Sequence, residues 1–574
     1  MVTFSKHTTQ KVSPLYTLGL PLLVQVLVIL IFGYNYQTSD EGTWELLFRG
    51  LMYYEQPPHY QVYFLGYYAF FQFLYELAPG FPWFGFILAV LNYLFLVGIT
   101  CVVYIVSSHR TVRERTLMAA SVMLVLFIEN LYQLNWTRHA VLLPTAGMAL
   151  FWIGAVRGSR RIGNILLGIS LFLLGTLFRS QAAMLSLAIG VVFLWGYYQP
   201  TYSWFKSART VVIMSSVFLI ILAASMIITQ QRSDANREFF RDTQPPYINI
   251  VDYKNYNPDL KALSQEDSVR LTAVEDRFIS DTTLFNEAFM RQVGTYSSFS
   301  PDNLSPSKAL WNIWKVIQFT LFDYPYLTLL WVFIIVALYR FLPRKRFLLA
   351  LFGMVAFLGM IAVLSIFLKM HPKLYHPALG SMLFWSMLLL IEQPKFWDWI
   401  KASLVPKGVL AAVVLLMFVW AGKDRLRTLR AQSRLEPVSE YVQSSIESPV
   451  ILTTYAFQKQ FLKRKAFRGT QMPSGKLYLY IQGNQNNDFL VEHQAAFRTV
   501  SKTESPANYA DLAQTALKEG YPFGMDEGTR EEFTQLMTDY YGLKPEFSTL
   551  QEFANDAGNT FFGFYQLTQL TPLP

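Results

Sequence analysis

The chain has 574 residues, 53% of them hydrophobic, 16% aromatic and only 15% charged, a composition that excludes a disordered, fibrous or ordinary soluble protein. A single cysteine, Cys101, excludes an intramolecular disulfide, a thiolate metal cluster and a CxxC redox pair. The 48 Lys and Arg against 39 Asp and Glu leave a net charge of +9, but the basic residues stand in short loops between apolar runs, where they set membrane orientation and give no reason to expect nucleic acid.

Hydrocarbon obliges every backbone group to be paired within its own segment, so apolar runs of about 18 residues or more are expected to cross a bilayer as helices. About eleven such runs occur. The first, 16–36, follows Lys6 and Lys11, carries no small-residue cleavage site after it and is expected to be retained. The others centre in 83–106, 117–134, 139–156, 163–178, 181–198, 210–229, 322–341, 347–368, 375–392 and 407–421. With the amino terminus cytoplasmic, the inner loops hold Arg110, Arg113 and Arg115, then Arg157, Arg160 and Arg161, Lys206 and Arg209, Arg340 to Arg346, and Lys395, Lys401 and Lys407. The short outer loops hold mainly Arg138, Arg179, Lys369 and Lys373. This register places 37–82, 230–321 and 422–574 outside.

The run from His59 to Pro79 is apolar enough to span, yet a span there inverts every later loop. Its tyrosines, Tyr60, Tyr63, Tyr67, Tyr68 and Tyr75, suit a helix at the headgroup level, with a second true span as the alternative. The segment 230–321 is expected to be helices broken by Pro245-Pro246, Pro258 and Pro301, with Glu275, Asp276, Asp281 and Glu287 on a solvated face. Beyond 421 charges become frequent. Alternating apolar runs at 449–454, 476–481 and 561–566 read as strands, and between them the stretch 509–518, closed by Gly520, and a segment opened by Thr529 with Glu532 and ended by Gly542 read as helices. The chain therefore divides into a membrane domain, 1–421, and a small α/β domain, 422–574, outside the membrane.

Four places can carry chemistry. Asp40-Glu41 lies just beyond the outer end of the first helix, where it is either solvated or, in a cavity, a general base. Arg179 interrupts an apolar stretch at the outer boundary, and it either snorkels to headgroups or forks a phosphate. Lys369, His371, Lys373 and His376 crowd one outer turn, as a cationic rim for a phosphate or as neutral structural histidines; no carboxylate or cysteine nearby completes a metal site. Pro57-Pro58-His59-Tyr60 opens the interfacial helix. There is no Walker loop, dinucleotide fingerprint, HExxH or nucleophile elbow.

Taken together, Ser39-Asp40-Glu41 in a long outer loop, Gln56 to Tyr60 opening an amphipathic helix, Gly175-Thr-Leu-Phe-Arg179-Ser-Gln between two apolar runs and Lys373-Leu-Tyr-His376-Pro-Ala in a late outer turn resemble the GT-C fold glycosyltransferases. That superfamily includes the aminoarabinose lipid A transferases and the protein mannosyltransferases. His376 stands where an arginine is often found, and the 230–321 segment has no counterpart that aligns. The resemblance implies an enzyme of the bacterial plasma (inner) membrane that moves a sugar from a polyprenyl-phosphate donor to an envelope glycan, lipid or protein. The leaving group is a phosphate, whose developing charge wants a fixed cation. Arg179 is the candidate, with Lys373 and His376 as helpers. Asp40 is then the base that deprotonates the acceptor, giving inversion, with Glu41 as its substitute. Pro58, His59, Tyr60, His371 and Arg138 are expected to line the acceptor and lipid cavity. The resemblance leaves metal dependence open, since some members use a divalent cation and others do not; Asp40-Glu41 can hold one weakly with water filling its other positions. The competing readings are a glycan polymerase or ligase, and a transporter or flippase of lipid-linked sugars.

Overall fold

The computed structural model describes residues 13–37, 39–48, 67–157, 161–198, 204–231, 244–257, 263–278, 281, 284–295, 306–367, 370–448, 450–452, 466, 478–480, 508–555 and 558–573. Each of the eleven expected runs overlaps a helix, but 16–36 and 117–134 run on into short strands and 322–341 is broken at Tyr324. The first third of the chain forms α1 (Leu15–Phe32), strand β1 (Asn35–Tyr36), α2 (Ser39–Phe48), α3 (Tyr67–Leu77), α4 (Trp83–Val106), α5 (Val112–Tyr132) and strand β2 (Gln133–Leu134). Then come α6 (Trp136–Arg157), α7 (Arg161–Phe178), α8 (Ser180–Tyr198) and α9 (Trp204–Gln231). Three shorter helices follow, α10 (Gln244–Tyr253), α11 (Gln265–Glu275) and α12 (Glu287–Val293). The rest of the bundle is α13 (Pro306–Gln318), α14 (Pro325–Phe341), α15 (Arg344–Phe367), α16 (Pro372–Ile391), α17 (Pro394–Ala402) and α18 (Leu404–Ser445).

Among the described residues seven helices are long and apolar enough to cross a membrane, or eight if α13, continued by a π-helical turn over Phe319–Asp323, and α14, bent from it by 89° at Tyr324, count as one span. The protein is an integral membrane protein. Fewer helices pass than the eleven runs because α7 and α8 are short as apolar helices and because α6 carries Thr137, Arg138, His139, Pro144 and Thr145 within its length. Burial sorts centre from rim: 89% of the apolar window of α16 is buried, against 28% in α1, 33% in α9, 28% in α15 and 22% in α18. A helix packed on all sides is a core helix whatever its polarity. Almost all of α6 is likewise buried, and its closest neighbour is α7, where Gly147 and Gly168 let two backbones touch: a Cβ on Gly168 would stand 2.6 Å from the Gly147 carbonyl oxygen.

Of the 59–79 run only 67–79 is described, with Tyr67–Leu77 as a helix; Pro58, His59 and Tyr60 lie outside the described residues. The helix sets Phe71 against Phe48 and Phe84, and Tyr67 against Phe178, while Phe70, Phe73 and Leu77 stay exposed.

After the bundle the chain forms β3 (Val450–Leu452), β4 (Tyr478–Tyr480), α19 (Tyr509–Glu519), β5 (Pro522–Met525), α20 (Glu527–Asp539), β6 (Leu543–Ala554) and β7 (Thr560–Pro572). The sheet order is β4-β3-β5-β7-β6, with β3 parallel to both neighbours and β7 antiparallel to both of its own. Strands β5 and β6 were not expected, since Pro522 to Met525 is four residues long and β6 has one fully buried residue in twelve. Helix α19 closes on Gly520 at φ +70, as expected. Helix α20 opens one turn earlier than expected: Asp526 caps it, accepting the Thr529 amide at 2.9 Å and the Thr529 hydroxyl at 2.6 Å, so Thr529 is bound within the first turn.

The 244–295 segment also departs from expectation. It is no solvated stretch: Tyr247, Ile250, Val274, Phe278, Phe285, Phe289 and Val293 share one apolar core with Tyr509, Leu512, Phe523, Phe533 and Tyr565. Asp281 is 1% exposed and accepts a hydrogen bond from the Tyr541 hydroxyl, which is why a carboxylate is tolerated there.

Candidate functional site

The two central helices, α6 and α16, begin at the same end of the bundle, where Arg138 of the first and His376 of the second are brought together. Helix α5 ends in Glu129-Asn130-Leu131-Tyr132, β2 turns the chain, and the Asn135 side chain accepts the amides of Thr137 at 2.8 Å and Arg138 at 3.3 Å to start α6. This tight reversal folds Arg138 back onto α5. Its Nη2 donates to Glu129 Oε1 and its Nη1 to Asn130 Oδ1 at 3.1 Å. The second carboxylate oxygen of Glu129 faces His376 Nε2 at 3.3 Å, one turn into α16. Tyr326 OH lies 3.2 Å from the same nitrogen, and the Tyr324 ring is 4.6 Å from the imidazole. Trp420 of α18 closes this side, with ring centroids 5.4 Å from Tyr324 and 5.8 Å from Tyr326.

Glu129, Arg138 and His376 are all buried. Burying a carboxylate is tolerable only because a guanidinium and an imidazole meet it in direct contact. The pairing is nevertheless incomplete. Among the described residues nothing hydrogen-bonds His376 Nδ1 or Arg138 Nε, and buried polar atoms of this kind ordinarily have a partner.

A second acidic place lies beside the first. Strands β1 and β2 pair in parallel, Asn35 with Gln133 and Tyr36 with Leu134, so the chain leaving α1 is tied to the turn that delivers Arg138. Three residues on, α2 begins. Glu41 and Glu45, one turn apart on one face, are both buried, and their charges bear on the Tyr36 hydroxyl.

The expected residues are distributed as follows. Arg138 and His376 are joined through Glu129. Arg138 was expected in an outer loop, but the early start of α6 places it inside a helix and out of solvent. Glu41 is buried in α2; Asp40 stands in the first turn of that helix, and its side chain lies outside the described residues. Arg179, between α7 and α8, is half-buried with its guanidinium 5.5 Å from the Trp136 ring, at the same end of α6 as Arg138. His371 is exposed and caps α16, its Nδ1 accepting the Lys373 amide at 3.3 Å. Lys373 sits half-buried in the first turn of α16, one turn before His376. Glu129, Tyr324, Tyr326 and Trp420 were not expected. Glu129 had a signal: it is a carboxylate inside an apolar run. Among the described residues no three His, Cys, Asp or Glu are grouped to hold a metal ion.

No protein-family model matches the sequence, and no curated protein matches it. Two solved structures are similar in the course of the chain. The crystal structure of ArnT from Cupriavidus metallidurans in the apo state is 12% identical, covers 96% of this chain and 97% of that one, and has a TM-score of 0.47. The structure of ArnT from the same organism bound to undecaprenyl phosphate is 12% identical, with 97% and 99% covered and a TM-score of 0.46. A likeness of this degree carries nothing about chemistry, which is read from the residues themselves.

Proposed function

We propose that the protein is a glycosyltransferase of the GT-C kind, moving a sugar from a polyprenyl-phosphate donor to an envelope acceptor at the membrane face opposite its amino terminus. The observation that carries this reading is the buried Glu129–Arg138–His376 cluster, with two unsatisfied nitrogens, set beside an acidic helix at one end of an apolar bundle. The compartment outside the membrane lacks nucleotide sugars, so an activated sugar must arrive there on a lipid.

The reaction asks for a base and a set of cations. Asp40 takes the proton of the acceptor hydroxyl, whose oxygen attacks the anomeric carbon. The bond from that carbon to the phosphate oxygen breaks on the opposite face, and the lipid phosphate leaves with the electron pair, so the anomeric configuration inverts. Fixed cations at this end, Arg179 and Lys373 at the rim and Arg138 beneath them, oppose the charge that develops on the phosphate. Glu129 positions Arg138 and His376. Glu41, buried one residue after Asp40 in the same helix, is the substitute base.

The test is sugar transfer in lipid vesicles from a panel of radiolabelled polyprenyl-phosphate sugars. Asp40→Asn is expected to lower transfer by about 100-fold or more, the usual weight of a general base, with donor retention unchanged. Full activity in both Asp40→Asn and Glu41→Gln would remove the carboxylate-base mechanism.

A further inference from the structure

Helix α13 covers Pro306–Gln318 and continues through the π-helical turn Phe319–Asp323. At about 100° per residue its side chains sort into three arcs. Leu310, Trp314, Ile317 and Leu321, with Trp311 at one edge, make an apolar arc, and all five are exposed. Lys315 and Lys308 come next around the helix. Ala309, Ile313 and Val316 fill the remaining arc, which faces the protein: Val316 is buried, and the helix packs on α15.

The direction of the helix decides what covers the apolar arc. From Pro325 beside the buried cluster to Phe341 at the basic inner loop, the 17 residues of α14 rise about 25 Å, most of a hydrocarbon core of roughly 30 Å. Helix α13 leaves α14 at 89°. It therefore runs along the membrane face at the level of Tyr324, with no depth left for it to cross. Tryptophan is favoured at that level, where an apolar ring meets acyl chains and its N–H meets headgroups. The charges agree with this. No Asp or Glu stands between Asp302 and Asp323, while Lys308 and Lys315 do, a balance that suits anionic headgroups. The Lys315 ammonium is 5.0 Å from the Trp311 ring centroid, at the border of the apolar arc. Lys308 donates to the Asn255 side chain in the outer segment, which holds the basic arc on the side away from hydrocarbon.

We propose that α13 is an interfacial helix whose partner is the phospholipid surface on the cluster's side of the membrane, with its apolar arc toward the acyl chains and its lysines among the phosphates. The protein side of the same helix reaches the buried cluster. Thr320, in the π-helical turn, shares a hydrogen bond with the hydroxyl of Tyr375, the residue before His376, and the Tyr324 ring at the bend lies 4.6 Å from the His376 imidazole. The lipid surface thereby fixes the height of the groups that close over His376, whatever reaction the cluster serves.

The test is the depth of single nitroxide labels on the full-length protein in vesicles of phosphatidylethanolamine and phosphatidylglycerol, read by electron paramagnetic resonance as relaxation by oxygen against relaxation by an aqueous nickel chelate. Cys101→Ala removes the one native thiol, and Leu310→Cys or Ile317→Cys places the label on the apolar arc. Two exposed positions calibrate the scale: Leu358→Cys in the middle of α15 is the deep reference, and Gln551→Cys in β6 the aqueous one. Both α13 labels are expected roughly 5–10 Å below the phosphates, between the two references. Labels as open to nickel as Gln551 would place the arc in water, labels as deep as Leu358 would make α13 half of a broken span, and labels closed to both relaxants would mean that protein covers the arc. Each of these overturns the proposal. Joint Trp311→Gln and Trp314→Gln is expected to move the Ile317 label several ångström toward the aqueous value while the Leu358 label stays in place, as it would if lost anchorage and not lost folding were the cause. An Ile317 label that does not move would refute anchorage by these rings.

Discussion

Removing Arg138 leaves the Glu129 carboxylate in a fully buried place, facing the His376 imidazole without its guanidinium partner. Arg138→Met is therefore expected to destabilise the protein by about 3–5 kcal/mol, the usual cost of stranding one buried charge. The double variant Glu129→Gln with Arg138→Met should recover much of that loss, because no charge is left stranded. Thermal midpoints of the two singles and the double in detergent decide it: additive losses would mean the two residues act independently. A second residue-scale prediction concerns Asp281. Tyr541→Phe deletes the hydroxyl that donates to this buried carboxylate, and about 1.5–3 kcal/mol should be lost, the range for a hydrogen bond to a charged group. Midpoints unchanged in Tyr541→Phe would show that Asp281 is held by other contacts alone. Arg138 and His376 were legible as ionisable residues at one membrane face. Their joining was not, because it depends on Glu129, nine residues before Arg138 across a turn whose tightness is set by the Asn135 side chain.

At the scale of elements, the contact of α6 with α7 depends on the absence of side chains. A Cβ on Gly147 would meet the Gly168 carbonyl oxygen at 2.5 Å and the Phe172 amide at 2.8 Å, both backbone atoms that cannot turn aside. Gly147→Ala or Gly168→Ala must then force the helices apart, at a cost of about 1–3 kcal/mol, and because α6 carries Arg138, activity should fall along with the thermal midpoint. Gly163→Ala, where a Cβ meets nothing within 4 Å, is the matched control; equal midpoints in Gly147→Ala and Gly163→Ala would show that the close approach contributes nothing. The positions of the long apolar helices were readable because apolar length is what hydrocarbon selects, while the short helices α2, α13 and α17 were not. Helix starts were less so. Both Thr111, which caps α5 in a reciprocal box with Glu114, and Thr529 sit three residues before a glutamate, yet only the first is a cap, since Asp526 precedes the second and its carboxylate accepts more strongly.

At the scale of the molecule, the described residues form two apolar cores. The first spans the bundle and takes in Val438, Val442, Phe562 and Phe564, so α18 and the sheet are packed into it; the second joins 247–293 to the sheet and its helices. The second core carries a pH limit. Burial raises Tyr247, Tyr256 and Tyr541 well above the ordinary value of 10.0, with Asp281 adding to the effect at Tyr541, and pushes Tyr565 up to about 12. A group whose pKa is raised on folding contributes stability below its unfolded value and loses it as pH rises through the folded one. The second core should thus hold its stability up to about pH 10 and weaken steadily between there and 12. Thermal midpoints followed together with tyrosinate absorbance test this, and a midpoint flat across that window would contradict it. Strands β3, β4 and β7 and the helices at 509–539 were readable from the sequence, while β5 and β6 were not. That 247–293 belongs with them was not, since nothing local in either segment points to the other.

That pairing has a consequence in time. Phe278, Phe285 and Phe289 leave the ribosome about 220–255 residues before Tyr509, Phe523 and Phe533 that cover them, which at 5–20 residues per second is roughly 11–51 s. During that interval four of the long bundle helices, α14, α15, α16 and α18, are made and inserted. The nascent chain therefore carries an uncovered aromatic surface through the second half of its synthesis, and a chain cut short anywhere before residue 509 keeps it.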